Sequence, residues 1–220
     1  MKNCLPIFIS VVSITAFLEG NPESTYSNLR QLTFDGVRSG EGYFSRNDKS
    51  IVFQSENFND NPFYQIYQID LESGKTKLLT NGIGKTTCGW LHPSENKFLY
   101  SSTHLDPDAM SKQMSEIKKC QAGNAKKYSW DYDEHYDLFI GSLDSNRTQR
   151  ITYELGYDAE GSISNDGNMV VFTSNRMAYT NENSFRSTKD LSFHCDLFLK
   201  TLDTNKTVQL TDTEGYDGGP

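Results

Sequence analysis

Short apolar runs that end in an aromatic residue recur along the chain. The clearest read Ile-Val-Phe, Phe-Leu-Tyr and Met-Val-Val-Phe, at residues 51–53, 98–100 and 169–172. Each run follows a polar turn containing Asn, Asp, Ser or Gly, at 47–48, 94–96 and 165–167. Such turns before a short apolar run are typical of a β-hairpin. The pattern therefore predicts a strand at each run.

Fixed intervals between Thr and aromatic residues indicate that the chain is built from repeats. A Thr precedes an aromatic residue by 20 positions three times, in Thr33–Phe53, Thr80–Tyr100 and Thr152–Phe172. A second aromatic residue precedes the next Thr by 13 positions three times, in Tyr67–Thr80, Phe139–Thr152 and Phe198–Thr211. Only the distance from the first aromatic residue to the second varies, measuring 14, 39 and 26 residues. Variation in length is thus confined to one connection of the repeat.

Each repeat contains the pattern of four short strands. Third strands are predicted at 65–69, 137–140 and 196–199, and polar turns lead from them into fourth strands such as 76–80. A repeated four-stranded antiparallel unit is typical of a β-propeller blade. A β-sandwich is the alternative, but it does not account for the fixed intervals. The sequence therefore predicts an all-β fold, a β-propeller of four-stranded antiparallel blades.

The third repeat carries the most regular motif. It reads Ser-Asn-Asp-Gly at 164–167, an apolar strand followed by Ser-Asn-Arg at 170–176, Asp-Leu-Phe at 196–198 and Gln-Leu-Thr at 209–211. This order resembles the WD40-like (PD40) repeat of the TolB-type six-bladed β-propellers. The first repeat matches more loosely, and the second has His-Pro-Ser-Glu at its turn and no Ser-x-Arg. The resemblance covers residues 29–220 and implies three blades, about half of a six-bladed ring.

Both ends of the repeat region bear on how the ring would close. We expect residues 29–33 to form a strand that completes a last blade, because a fourth-strand motif occurs there without a blade before it. Residues 215–217 repeat the Gly-Tyr-Asp of 156–158, which opens the third blade. Two interpretations remain: a fragment of a longer protein, or a ring completed by two chains.

The N-terminus has the layout of an export signal. A basic start is followed by an uncharged apolar run of about 14 residues, which fits a secretory signal peptide at 1–20 and is short for a membrane span. An uncleaved anchor or a buried strand is the alternative. We expect a linker at 21–28, no membrane span after signal removal, and a periplasmic or secreted protein. Loss of Cys4 would leave Cys88, Cys120 and Cys195, enough for at most one internal disulfide.

Charge excludes one class of partner. The 220 residues include 21 Lys and Arg against 29 Asp and Glu, a formal net charge of −8. Nucleic-acid binding needs clustered positive charge, so nucleic acid is not an expected partner.

The longest connection between strands, at about 103–136, contains the most distinctive chemistry. A helix is predicted after Asp106-Pro107-Asp108, with Met110, Met114 and Ile117 on one packing face. The connection ends in a patch of acids and aromatics, comprising Trp130, Asp131, Tyr132, Asp133, Glu134 and His135. We predict that this patch binds a partner, together with the repeated Tyr157, Asp158, Tyr216 and Asp217. Alternatively, the patch is a strand with one wet face, and the Gly-Tyr-Asp repeats are turn-forming linkers.

Metal and catalytic chemistry are weaker hypotheses. Asp131, Asp133 and Asp137 offer hard oxygen ligands for calcium, although the turn glycine of a loop-type calcium site is missing. Three histidines, His104, His135 and His194, lie in the variable connections and could converge. The sequence has no Gly-x-Ser-x-Gly elbow, His-Glu-x-x-His pair or phosphate loop. We therefore expect no catalytic residue, metal or cofactor in this chain.

Connections between the second and third strands share one rim of a blade with the loops between blades. Loops held on a rigid scaffold commonly carry binding sites. The resemblance then implies an exported, non-catalytic propeller that binds a protein or peptide through this insertion-bearing rim. The alternative is an accessory propeller of a longer secreted hydrolase, peptidase-like, with its catalytic domain beyond Pro220. A metal-dependent lactonase-like enzyme is a third interpretation.

Overall fold

The computed structural model describes residues 27–57, 61–94, 96–124, 130–180 and 190–220. The predicted signal peptide and most of the linker lie outside these residues. Residues 1–32 and 33–220 form separate units, and the described part of the first, 27–32, contains no helix or strand. Residue 33 also lies outside any strand, so the predicted strand at 29–33 is wrong.

The described residues of the second unit form three sheets with four antiparallel strands each, which we call blades I to III, and a fifth strand joins the third. Blade I contains β1 Ser39–Phe44, β2 Ser50–Asn57, β3 Asn61–Asp70 and β4 Thr76–Leu78. Blade II contains β5 Thr86–Leu91, β6 Lys97–Ser102, β7 Asp137–Ser142 and β8 Thr148–Arg150. Blade III contains β9 Asp158–Ile163, β10 Met169–Ser174, β11 His194–Thr201 and β12 Lys206–Gln209, with β13 Gly215–Tyr216 parallel to β11. Within each blade the strands pair in chain order, which confirms the predicted blades.

The aromatic residues of the repeat are cross-strand partners. Phe53 lies opposite Tyr67, Tyr100 opposite Phe139, and Phe172 opposite Phe198. Their ring centroids are 5.8, 5.5 and 5.8 Å apart and the rings are stacked. Aromatic pairs on neighbouring strands stabilise a sheet, so they account for two fixed positions in every repeat.

The repeated Thr closes each blade by bonding to its third strand. In blade II, Thr152 Oγ1 accepts the N–H of Leu138 at 2.9 Å and donates to Asp137 Oδ1 at 3.2 Å. Thr80 makes the same two bonds to Ile66 and Gln65, and Thr211 makes them to Leu197 and Asp196. Because Thr must reach the third strand from just beyond the fourth, its distance from the second aromatic residue is fixed at 13.

Glycines set the contact between blades. Gly89 on β5 faces Val52 and Ile66 of blade I, and a Cβ added there would lie 2.8 Å from Ile66 Cγ2. Gly161 on β9 faces Leu99 and Leu138 of blade II, where a Cβ would lie 2.8 Å from Leu99 Cδ2. A larger residue at either position would force neighbouring blades apart.

The predicted helix is present as α1, Ala109–Gln121, although its packing face differs from the prediction. Met110 and Met114 are 49% and 47% exposed, whereas Ala109 and Gln113 are buried. Gln113 Oε1 accepts the N–H of Gly84 at 3.0 Å. A polar residue occupies the packed face because the blade I–II loop presents backbone groups that need partners. Among the described residues, no helix has the length and apolar character needed to cross a membrane. Two short 3₁₀ helices, Arg176–Tyr179 and Leu191–Phe193, lie between β10 and β11.

Candidate functional site

The long connections and the interblade loops meet on one rim, as the sequence predicts. Gln113 of α1 binds the blade I–II loop, and Gly156 of the blade II–III loop donates to the Glu134 carbonyl at 2.8 Å. In blade III, the side chain of Asn175 accepts the N–H of Tyr157 at 2.7 Å. The described parts of the blade II and blade III connections are thus held by the loops beside them.

Charged side chains on the rim form what we call the rim ion cluster: Lys85, Asp106, Lys112, Asp131 and Asp133. Lys85 Nζ lies 2.8 Å from Asp133 Oδ2 and also pairs with Asp131. Lys112 Nζ lies 3.0 Å from Asp133 Oδ2 and 2.7 Å from Asp106 Oδ2. Both lysines therefore contact the carboxylates that the sequence patch supplies.

Electrostatics keep this cluster charged. Burial alone would raise the pKa of Asp133, but the hydrogen bonds and charges of Lys85 and Lys112 outweigh it and lower the pKa to about 2. Burial likewise opposes the charge of Lys112, yet Asp106 and Asp133 raise its pKa to about 12. Each carboxylate of the cluster is thus paired with a lysine of the same chain, and three aspartates share two ammonium groups.

Two aspartates of the cluster, with the neighbouring His135, form a group of ligand-type residues. Ligand atoms of Asp106, Asp133 and His135 lie within 4.8 Å of one another. However, lysine Nζ atoms already contact both carboxylates, so this arrangement works as an ion-pair network. A metal ion there would have to displace two ammonium groups.

Other proposed ligands are engaged elsewhere. Asp137 pairs with Arg150 at 2.5 Å, and burial raises its pKa to about 6 while Arg150 opposes the shift. His104 packs against the Phe139 ring, with centroids 4.4 Å apart, and His194 lies in β11. In the described part of the chain, neither the three aspartates nor the three histidines share one ligand site.

A second feature lies on the first strands of the blades, each of which contains a β-bulge. At the bulges, Glu41, Cys88 and Glu160 adopt φ values of 50°, 52° and 57°, and a glycine follows each of them. Each bulge lies opposite the first aromatic residue of its repeat. A left-handed conformation costs a non-glycine residue about 1–2 kcal/mol, and it persists where surrounding structure imposes it. Bulges commonly redirect a side chain, and all three of these residues line the same cavity.

We call this cavity the first-strand cleft; its volume is about 700 Å³. Its walls include both tryptophans of the chain, Trp90 and Trp130. The remaining lining residues are Glu41, Tyr43, Cys88, Tyr132, Glu160, Gly161, Ser162, Tyr216, Gly219 and Pro220. Concave sites with aromatic walls and a few polar groups are the usual form of a ligand site.

Hydrogen bonds fix Glu160 in the cleft. Its carboxylate accepts from the Tyr157 hydroxyl at 3.0 Å, from the Gly219 N–H at 2.7 Å, and from the hydroxyls of Thr173 and Tyr216. Trp130 Nε1 donates to the Tyr157 hydroxyl at 3.0 Å. The buried Tyr157 therefore connects Trp130 of the aromatic wall to the Glu160 carboxylate through its hydroxyl.

Glu41 is held more loosely. It is exposed and accepts one hydrogen bond, from the Tyr43 hydroxyl at 2.8 Å. Burial, reinforced by the Glu41 hydrogen bond, raises the pKa of Tyr43 above its usual range. Burial also raises the pKa of Cys88 to about 12, and the charges of Glu160 and Glu41 add to it against a hydrogen bond from Thr87. The phenol and the thiol thus stay protonated, and negative charge in the cleft resides on the two glutamates.

The predicted binding residues divide into three groups. Trp130, Tyr132 and Tyr216 line the cleft, and Tyr157 supports it from a buried position. Asp131, Asp133 and His135 belong to or border the rim ion cluster, while Glu134 contributes its carbonyl. Asp158 is buried against Arg176 at 2.6 Å, and Asp217 accepts a hydrogen bond from Thr213. Residues 130–135 are therefore divided between the first-strand cleft and the rim ion cluster with its neighbours.

The two Gly-Tyr-Asp segments make equivalent backbone contacts. Asp158 N donates to the Tyr136 carbonyl and Asp217 N donates to the Cys195 carbonyl, in each case one residue before the Asp of the third strand. This equivalence fits the linker interpretation. It also brings Tyr216 to Glu160.

Sequence reasoning missed Glu41, Tyr43, Cys88, Trp90 and Glu160. A signal for three of them exists: Glu41, Cys88 and Glu160 each precede a glycine and stand 12 positions before the first aromatic residue of their repeat. Their strands are short of apolar residues, so hydrophobic patterning does not detect them.

Comparison with known proteins supports the fold. No family model matches the chain, and no curated protein matches it. A solved structure described as TolB from Agrobacterium tumefaciens aligns with a TM-score of 0.57 at 19% identity, over 85% of this chain and 53% of that one. TolB from Acinetobacter baumannii aligns with a TM-score of 0.54 at 19% identity, over 83% of this chain and 34% of that one. The chain thus spans about half or less of these proteins, and the similarity establishes a TolB-like β-propeller fold.

Proposed function

We propose that this chain is an exported, non-catalytic propeller that binds a protein or peptide of the cell envelope through its insertion-bearing rim. The observation that carries the proposal is the convergence of the long connections and the interblade loops on one surface. Large side chains are presented there. Met110 and Met114 stand about half exposed on α1, and Trp130 and Tyr132, which also line the cleft, are partly exposed. Half-exposed aromatic and Met side chains on a rigid support are typical of protein-binding surfaces.

The TolB-like fold supports this proposal without deciding it, because propellers serve many functions. A periplasmic or secreted location is part of this proposal, because residues 1–20 have the pattern of a signal peptide. Cell fractionation of the native protein, with N-terminal sequencing of the mature form, tests this part.

Binding is tested by capture from an envelope extract, followed by affinity measurement with the purified partner. We expect the double variants Met110→Ala/Met114→Ala and Trp130→Ala/Tyr132→Ala each to weaken binding at least tenfold, since large side chains dominate interface energies. Phe44→Ala is the matched control: Phe44 is 62% exposed at the other end of β1. Unchanged affinity in both double variants, at retained melting temperature, would refute binding through the rim.

A further inference from the structure

The first-strand cleft combines two carboxylates with aromatic walls. Of its described lining residues, none is Lys, Arg or His. Among the residues that the structure describes, the donors to Glu160 are all neutral groups, and Glu41 accepts a hydrogen bond from a tyrosine. Neutral donors orient a carboxylate without cancelling its charge. The cleft therefore presents two negative charges that the described lining does not neutralise.

The aromatic rings favour the same kind of guest. The Tyr43 and Trp90 rings lie 4.7 Å apart, and Tyr132 packs edge-on against Tyr157 at 5.0 Å. Aromatic faces attract organic cations, most strongly where water is partly excluded. The rings offer a divalent metal only phenol oxygens, and those of Tyr43 and Tyr216 stay protonated and uncharged, unlike the carboxylates that such a metal prefers.

The two carboxylates differ in how they are held. Glu160 is fixed by four donors, so it provides a charge at a defined place. Glu41 is exposed and keeps Oε1 without a hydrogen bond among the described residues, so it can turn toward a guest. A fixed carboxylate and an adjustable one suit a cation at the end of a flexible chain.

We propose that the first-strand cleft binds the ammonium group of a lysine side chain in a peptide, between Glu41 and Glu160 and against the aromatic walls. The inference rests on the proposed function, because it assigns the chemistry that a bound peptide would present. It adds a position for that contact, on the first strands beside the rim.

The tryptophans allow a direct test, because both of them line the cleft. The probe is Nα-acetyl-lysine amide, titrated against intrinsic fluorescence; its matched control is Nα-acetyl-norleucine amide, which lacks the ammonium group. We expect a saturable change with the lysine probe and at least tenfold weaker binding of the norleucine probe. Equal responses to both probes would overturn the proposal, since the cleft would then select apolar chains.

Variants separate the contributions of the two carboxylates. Glu41→Gln should weaken binding of the lysine probe at least fivefold and leave binding of the norleucine probe unchanged. Glu72 is exposed on the β3–β4 turn, and Glu72→Gln should alter the affinity of neither probe. Glu160→Gln should weaken binding of the lysine probe further, and the melting temperature of this variant checks that it folds. Glu41→Gln carries the test even if Glu160→Gln unfolds, because Glu41 is exposed.

Two further outcomes would overturn the inference. Calcium chloride alone could cause the same fluorescence change in the wild-type protein and no change in Glu41→Gln. The cleft would then be a metal site. Alternatively, the lysine probe could fail to bind while Met110→Ala/Met114→Ala, which lies outside the cleft lining, still weakens capture of the envelope partner. The second outcome leaves the proposed function standing and removes only the lysine contact. If the lysine probe fails to bind and both rim double variants also leave capture unchanged, the proposed function is refuted as well.

Discussion

The rim ion cluster and the first-strand cleft both contain carboxylates, but their charge balance differs. In the cluster, Asp133 lies within 3.0 Å of Lys85 and Lys112. In the cleft, Glu160 is surrounded by hydroxyls and a backbone N–H. The comparison shows that acidic density in a sequence does not locate available negative charge, because the cations that neutralise it can come from another part of the chain.

The largest expected effect concerns the thiol between the two glutamates. With the pKa of Cys88 raised to about 12, its thiolate fraction at pH 8 should be lower by roughly a factor of 1,000 than for an unperturbed thiol. Iodoacetamide should therefore modify Cys120, on α1, long before Cys88 in the native protein. Mass spectrometry of peptides over time measures both rates. Comparable native rates would show that the cleft does not suppress the thiolate.

Removing Asp133 should reveal how strongly the cluster depends on its carboxylates. Asp133→Asn leaves two partly buried lysines short of a counter-charge and should cost about 2 kcal/mol of unfolding free energy. Asp131→Asn removes a 58% exposed carboxylate from the same network and should cost less than about 1 kcal/mol. Urea denaturation measures both. An unfolding free energy unchanged by Asp133→Asn would mean that these ion pairs do not stabilise the fold.

The cluster should also make stability depend on pH. The pKa of Asp133 is lower in the folded state, about 2, than in the unfolded state, about 3.9. Its contribution is therefore present above the unfolded pKa and lost as the pH falls through the folded pKa. The difference in unfolding free energy between wild type and Asp133→Asn should shrink by about 1–2 kcal/mol between pH 5 and pH 2, after allowance for solvent screening. A difference that does not change with pH would contradict this assignment.

The smallest effect is expected in the cleft. Glu41→Gln removes an exposed charge whose one described partner is Tyr43, from a protein with net charge −8. We expect stability to change by less than about 0.5 kcal/mol, in the favourable direction at low salt. A loss above about 1 kcal/mol would mean that Glu41 is already neutralised in the folded protein, which would break the contrast with the cluster.

Much of the fold could be predicted because the repeated residues make the same contacts in each blade. Tyr100 and Phe139 must face each other across two strands, and Thr152 must reach Asp137. Such requirements keep spacings constant, and constant spacings are visible in a sequence. Residues 29–33 carry the same Leu-Thr motif without forming a strand, so the motif by itself does not specify one.

The candidate site was harder to predict because its contacts are long-range. Lys85 neutralises Asp131 and Asp133 from 46 and 48 positions away. Met110 has helical spacing suited to packing, yet Gln113 takes the buried face because loop backbone groups need it. The cleft depends on bulges, which place Glu41 and Glu160 together from separate blades.

The glycine contacts between blades have a consequence for unfolding. Blade II contributes to both interblade cores: Phe98 and Phe139 pack toward blade I, and Leu99 and Leu138 toward blade III. In an array of repeats with nearest-neighbour coupling, each interface stabilises the two units that share it. A change that loosens blade II should therefore weaken both of these interfaces at once. Amide hydrogens in blades I and III should then exchange with solvent faster, together with those of β6 and β7.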